Sequence, residues 1–183
     1  MSRVFPFMNR TAPLILTLTL DERSFAFFDE QRRRYFPPDR NVIPAHLTLF
    51  HHLPGEEIET ITGVLDATAQ KQAPFSLQAT GLRSFGRGTA YQFESTDLAS
   101  LHQSLAAQWS LWLTVQDRQK LQPHITVQNK VEPDVAKALL AQLTAEFEPF
   151  PIAGIGLDLW WYRNGPWEKA GSFPFAPYVS PLP

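Results

Sequence analysis

The sequence predicts an α+β fold of two similar lobes, each an antiparallel sheet with helices on its outer face, meeting at a central cleft. Three observations carry this expectation. Short stretches that alternate apolar and polar residues are interleaved with stretches whose apolar residues recur every three or four positions, so strands and amphipathic helices follow one another along the chain. A strand-like tetrad, His46-Leu47-Thr48-Leu49, returns as His124-Ile125-Thr126-Val127, and an amphipathic helix follows each copy. Finally, 183 residues suffice for one domain of two small lobes, 1–183, with no disulfide or metal needed to complete its core.

In chain order, 1–12 read as an irregular arm, and Leu14 to Leu20 alternate with Thr17 and Thr19 as a half-buried strand. Asp21 is positioned to cap a helix that carries Phe25, Phe28, Arg32 and Tyr35 on one stripe and stops at Pro37-Pro38. Arg32, Arg33 and Arg34 point about 100° apart on that helix, so the run reads as a solvated face. After the loop to Pro44 comes the first motif strand, closed by Pro54-Gly55, then a helix marked by Ile58, Ile61, Leu65 and Thr68. Phe75 to Leu82 and Thr89 to Glu94 form a hairpin reversed at Gly86-Arg87-Gly88.

A third helix carries Leu98, Leu101, Leu105, Trp109 and Trp112, with Ser95, Thr96 or Asp97 to cap it. Thr114 to Gln122 is polar, a loop or short strand leading to the second motif strand. Pro133 suits the first position of a fourth helix bearing Val135, Leu139, Leu143 and Phe147. Ile155 to Tyr162 reads as a strand, Asn164-Gly165-Pro166 as a turn, and Trp167 to Phe175 as a last strand running into an irregular tail, 174–183.

Composition narrows the function. A net charge of -2 gives no broad grip on a nucleic-acid duplex, although a short or terminal piece is compatible with it. The absence of cysteine removes disulfides, thiolate metal sites and a cysteine nucleophile, and fits a reducing compartment. No signal-peptide or membrane-span pattern is found, so a cytoplasmic monomer without a partner protein is expected.

In a strand the histidine and threonine of each tetrad share one face and the aliphatic residues the other. Two imidazoles near pKa 6.5 can divide acid and base duties at one pH, and each is presented beside a hydroxyl. His51 and His52 have no partner threonine and read as structural or exposed, and His102 as a packing-edge residue. On a straight strand His51 points away from His46, and His52 lies about 20 Å from it, so no metal site is expected. Tyr35, Phe85 and Tyr162 are candidate platforms for a base, with Tyr91, Trp160, Trp161 and Trp167 as further aromatics. Lys130 is a candidate basic contact for a substrate, beside Arg83 and Arg118.

On His46-Leu47-Thr48-Leu49-Phe50, running on to Leu53-Pro54, and on Pro123-His124-Ile125-Thr126-Val127, the sequence resembles the two-histidine phosphoesterase superfamily. That group includes 2'-5' RNA ligase-like proteins and RNA 2',3'-cyclic phosphodiesterases, and the similarity spans roughly residues 12 to 175. The resemblance implies a bilobed fold and metal-independent, cofactor-free attack on a cyclic phosphate. His46, Thr48, His124 and Thr126 are then the site, with His46 as acid, His124 as base and the threonines on phosphate oxygens. Where relatives often carry a basic residue five places after the second histidine, this chain has Asn129, followed by Lys130.

The leading reading is therefore hydrolysis of 2',3'-cyclic phosphate ends of RNA or small nucleotides, with reversible 2'-5' RNA ligase activity. Two other readings use the same residues: an RNA-binding or interaction module with a vestigial site, and a phosphodiesterase for another small cyclic phosphate such as an ADP-ribose derivative.

Overall fold

Asp21 caps the first helix as expected, accepting from the Ser24 backbone N–H at 3.0 Å, and Ser95 caps the third by accepting from Leu98 N–H. From such local signals a computed structural model of the chain, which describes residues 11–177, builds twelve elements. They are β1 (Leu14–Leu20), α1 (Glu22–Tyr35), β2 (Leu47–Leu53), a 3-10 turn (Gly55–Glu57), α2 (Ile58–Ala69), β3 (Phe75–Ser84), β4 (Thr89–Glu94), α3 (Thr96–Gln108), β5 (His124–Gln128), α4 (Pro133–Glu146), β6 (Phe150–Tyr162) and β7 (Trp167–Pro174). The expected arm and tail lie mostly outside the described residues. The start of the tail is nevertheless docked: Phe175 is buried against Phe75, and the Ala176 N–H bonds the carbonyl of Ala69.

The strands form one seven-stranded antiparallel sheet in the order β2-β1-β6-β3-β4-β5, with β7 also on β6. β6 belongs to both lobes. Gly154 pairs with Leu20 on one edge and Phe75 on the other, and from Gly156 onward β7 takes over the edge that β3 has left. The first lobe is thus β2, β1, the later part of β6 and β7; the second is β5, β4, β3 and the start of β6. The sheet curls until its outermost strands, the motif strands β2 and β5, come alongside each other.

The helices exchange lobes. α1 follows β1 in sequence but packs on the second lobe, where Phe28 meets Tyr91 and Phe93 edge-on with ring centroids 5.3 and 5.6 Å apart. α3 follows β4 but lies under the first lobe, where His102 stacks on Phe50 at 4.6 Å and Trp109 meets the same ring at 5.2 Å. α2 packs on β6 and β7, and α4 on β3 and β4. Each motif strand is therefore preceded by a helix of the opposite lobe and followed by one of its own.

Three helical stripes differ from the sequence reading, and in α1 the difference is Phe25, which is exposed while Phe28 is buried. α3 ends at Gln108, because Trp109 turns in against Phe50 and the chain leaves the axis there, so Trp112 lies beyond the helix. In α4 the buried stripe is Ala136, Leu139 and Leu143, which turns Val135 outward. The hairpin turn behaves as read: Gly86 takes φ 77, and a Cβ on Gly88 would meet the Gln128 carbonyl oxygen at 2.2 Å.

Arg32 corrects the expectation of a solvated run. It is 2% exposed, whereas Arg33 and Arg34 are on the surface. Its Nη1 donates to the Thr126 carbonyl at 2.8 Å, Nη2 to the Ile43 carbonyl at 3.1 Å, and Nε and Nη2 to Asn41 Oδ1. The ring of Phe36 lies 4.3 Å from its guanidinium carbon. Burial pushes its pKa down to about 10, still charged at neutral pH, with Asp29 opposing. Asp29, one turn earlier, accepts from the Ala45 N–H at 3.0 Å. One helix face thus ties the loop before β2 to the backbone of β5. Sequence spacing puts Arg32 on the stripe of Phe28 but cannot show that it is buried there, because its acceptors come from distant segments.

Replacing Arg32 with Met keeps the volume but leaves buried carbonyls unpaired, and should cost about 2–4 kcal/mol in urea unfolding. Arg33→Met, on the exposed side, should stay within about 0.5 kcal/mol of wild type. Equal effects of the two changes would mean that the Arg32 bridge does not hold the lobes.

Candidate active site

β2 begins at Leu47, so His46 stands immediately before it, while His124 is the first residue of β5. In both tetrads the aliphatic residues are buried and the histidine and threonine half-buried, as alternation requires. The two imidazoles are held identically. His46 Nδ1 lies 2.7 Å from the Pro44 carbonyl oxygen, and His124 Nδ1 lies 2.8 Å from that of Gln122. A carbonyl only accepts, so Nδ1–H is the donor in each case, and the neutral ring carries its lone pair on Nε2.

Each ring also has an aromatic neighbour: Trp167 at 4.6 Å from His46, and Phe85 at 5.2 Å from His124. Burial is the main influence on His46 and, with Arg32, His124 and His51 as positive neighbours, pushes its pKa down to about 4 against the bond to Pro44. Burial likewise lowers His124, helped by Arg83 and His51 and opposed by the bond to Gln122. Burial and neighbouring positive charge thus hold both motif imidazoles below their ordinary range.

Two cavities flank the pair. One, of ≈ 390 Å³, has His46, Thr17, Trp160 and Trp167 in its wall, with Lys169 stacked 3.8 Å over Trp160 and ion-paired to Asp158. Trp160 Nε1 donates to Thr17 Oγ1 at 2.9 Å, which fixes the ring. The other, of ≈ 370 Å³, is lined by Thr48, His124, His51, Arg83 and Lys120.

The appearance of His51 in that wall corrects the straight-strand reading. Thr17 pairs with Thr48 and Leu16 with Phe50, so Leu49 is the extra residue of a β-bulge. Leu49 and Phe50 are consequently both buried, and His51 turns to the side of Thr48 and His124. Asp117 secures it there. This buried carboxylate accepts from the His51 and His52 N–H groups at 2.8 and 3.0 Å, from Thr114 Oγ1, and at 3.1 Å from His51 Nδ1. Burial pushes its pKa up, but these hydrogen bonds outweigh burial and hold it below the ordinary carboxylate range.

Among the candidate substrate contacts, Phe85 is brought to the site. Three others lie outside both cavities. Tyr35 packs at the edge of the core near Tyr91, because the stripe of α1 faces β4. Tyr162 stands at the end of β6 opposite Trp167, 37% exposed, so that Trp160, two residues earlier on the same face, forms the wall instead. Lys130 is exposed in the turn after β5, with φ 60 carrying the chain away. No group of three His, Cys, Asp or Glu side chains among the described residues could hold a metal ion, and no helix among them is long and apolar enough to cross a membrane.

Comparison with known proteins adds a family. The family model of the 2'-5' RNA ligase superfamily matches residues 20–166. TT0787 of Thermus thermophilus superposes with a TM-score of 0.63 at 19% identity, covering 91% of this chain and 100% of its own. E. coli LigT complexed with 3'-AMP gives 0.60 at 16%, covering 90% and 98%. At these identities the likeness is one of fold. No curated protein matches the sequence.

Depressed histidines have a consequence for stability. Unfolded His46 takes a proton near pH 6.5 and folded His46 only near 4, so its contribution is complete above pH 6.5 and is lost as pH falls through that window. His124 and His102 act in the same direction. Urea unfolding should show stability falling from pH 6.5 to 4, with a shallower slope in His46→Ala; an unchanged slope would mean that His46 titrates normally.

Proposed function

The chain belongs to the 2'-5' RNA ligase superfamily, among the two-histidine phosphoesterases, and from that premise we propose that it hydrolyses 2',3'-cyclic phosphates at RNA ends or on small nucleotides. Phosphoesterase-type chemistry goes with the superfamily. The cyclic phosphate, the absence of a metal requirement and the reverse 2'-5' ligation are our reading. The observation that carries it is the matched pair of imidazoles, each with Nδ1–H spent on a carbonyl two residues earlier and Nε2 left for chemistry.

Opening the ring needs one proton removed from water and one delivered to the departing ribose oxygen. A neutral Nε2 accepts the first and a protonated Nε2 donates the second, each transfer contributing about 10²–10⁴-fold. Following its relatives, His46 is the acid and His124 the base; ligation exchanges the roles. Thr48 and Thr126 donate their hydroxyls to the phosphate oxygens as negative charge accumulates there.

Substrate charge completes the device. In the empty cleft both imidazoles are depressed by burial and by neighbouring cations. An arriving phosphate anion replaces that repulsion with attraction, so one ring picks up the proton it must deliver. E. coli LigT is complexed with 3'-AMP, and a ribose 3'-phosphate is one of the two products that opening a 2',3'-cyclic ring can yield, which supports the reading.

The test is turnover of nucleoside 2',3'-cyclic phosphates and of a short RNA with a cyclic phosphate end, with chelator present. Wild type should turn over, while His46→Ala and His124→Ala should each lose at least about 100-fold in kcat. The profile of kcat/KM should be a bell centred below pH 6.5, and that of kcat should lie at higher pH, because bound anion raises both imidazoles. Wild-type turnover in both variants would sink the assignment of the site.

A further inference from the structure

We propose that His51, oriented by Asp117, forms with Arg83 and Lys120 a second anion subsite beside His124 and Thr48, and that this subsite holds a phosphate of the substrate other than the reacting one. The inference rests on the reading of the reaction given above and adds a substrate class to it: molecules that carry a second phosphate near the cyclic one.

The residues are assembled for this by structure rather than by adjacency. The bulge at Leu49 turns His51 into the cavity, and Asp117 takes its Nδ1–H, leaving Nε2 to donate to an anion when the ring is protonated. Arg83, at the end of β3, donates through Nη1 to Gln122 Oε1 at 2.9 Å, and the backbone carbonyl of Gln122 accepts from His124 Nδ1. Gln122 thus sets Arg83 in register with the reacting imidazole. Lys120 comes from the loop that Asp117 pins to β2, and makes no ion pair with another described residue.

Charge is left over in this wall. Asp117 is the one carboxylate among its described lining residues, and both of its oxygens are occupied by donors from His51, His52 and Thr114. At ≈ 370 Å³ the cavity lies in the range of small-molecule sites, about 300–1,000 Å³, and is larger than one phosphate requires. The tryptophan wall beside His46 is a separate cavity that shares none of these residues. The reacting phosphate is served by the motif histidines and threonines, which leaves Arg83 and Lys120, with the His51 ring beside them, to face a second anion.

The second phosphate has two sources, a 5'-phosphate on the same nucleoside and the internucleotide diester of an RNA end. Adenosine 2',3'-cyclic phosphate, its 5'-phosphorylated form and an adenosine dinucleotide ending in the cyclic phosphate separate them. Wild type should favour at least one two-phosphate substrate by roughly tenfold in KM, the worth of one charge-assisted hydrogen bond. His51→Ala and Lys120→Ala should erase that ratio, and the substrate whose advantage disappears identifies the source.

Equal losses on all three substrates would reduce His51 to a structural support and overturn the proposal, as would a wild type without preference. Calorimetric binding of adenosine 3'-phosphate against adenosine 3',5'-bisphosphate, together with the dinucleotide bearing a terminal 3'-phosphate, needs no turnover. A His51-dependent preference for a two-phosphate ligand in a protein that turns over nothing would keep the subsite and discard the reaction; turnover without any preference would do the reverse.

Discussion

The guanidinium of Arg32 is the point at which the two halves of this protein are made to agree. A buried cation is tolerated only where its donors are spent, and here they are spent on the Ile43 carbonyl and Asn41 before the first motif and on the Thr126 carbonyl within the second. Asp29, on the same helix face, adds the Ala45 N–H. The relative position of the two tetrads is therefore defined by backbone atoms fastened to one rigid helix. The same charge then acts at a distance, helping burial to hold the His46 pKa down.

Around that fixed pair the cleft is divided by chemistry. On the His46 side are indole rings held by Thr17 and Lys169; on the His124 side are His51, Arg83 and Lys120, held by Asp117 and Gln122. One wall is aromatic and the other basic, so the cleft is asymmetric across two otherwise matched motifs. The lobes that carry these walls are interleaved, since α1 and α3 each cross to the other half. The site is thus pre-assembled by packing.

Much of this was legible in the sequence, and the exceptions have physical causes. The tetrads, the helix caps at Asp21 and Ser95, the glycine hairpin and the order of strands and helices are local signals, and they are found as read. What periodicity could not show was that carbonyls from distant segments would meet the arginine on the Phe28 stripe. Nor could it show that a single extra residue at Leu49 would bring His51 round to the cleft. The Trp160 and Trp167 wall was only one aromatic option among several, because a ring that packs and a ring that lines a cavity have the same spacing. The start of β6 was hidden by Pro151, Gly154 and Gly156, which interrupt alternation although the backbone remains extended.

The sharing of β6 between lobes bears on how the chain comes off the ribosome. β1 is made long before its partner: Thr17 bonds to Asp158, 141 residues later, and Leu14 pairs with Trp161. At about 5–20 residues per second, the segment Leu14–Leu20 waits on the order of ten seconds for the strand that covers one of its edges. During that interval a leucine-rich strand is presented to the chaperone environment with an open edge, and the waiting time is set by topology rather than by propensity. The lobe containing β3, β4 and β5 is nearly contiguous in sequence and can assemble first. His46 consequently acquires its final surroundings only after β6 and Trp167 of β7 have been made, so a nascent chain that ends before them carries the two motifs without the wall beside the first.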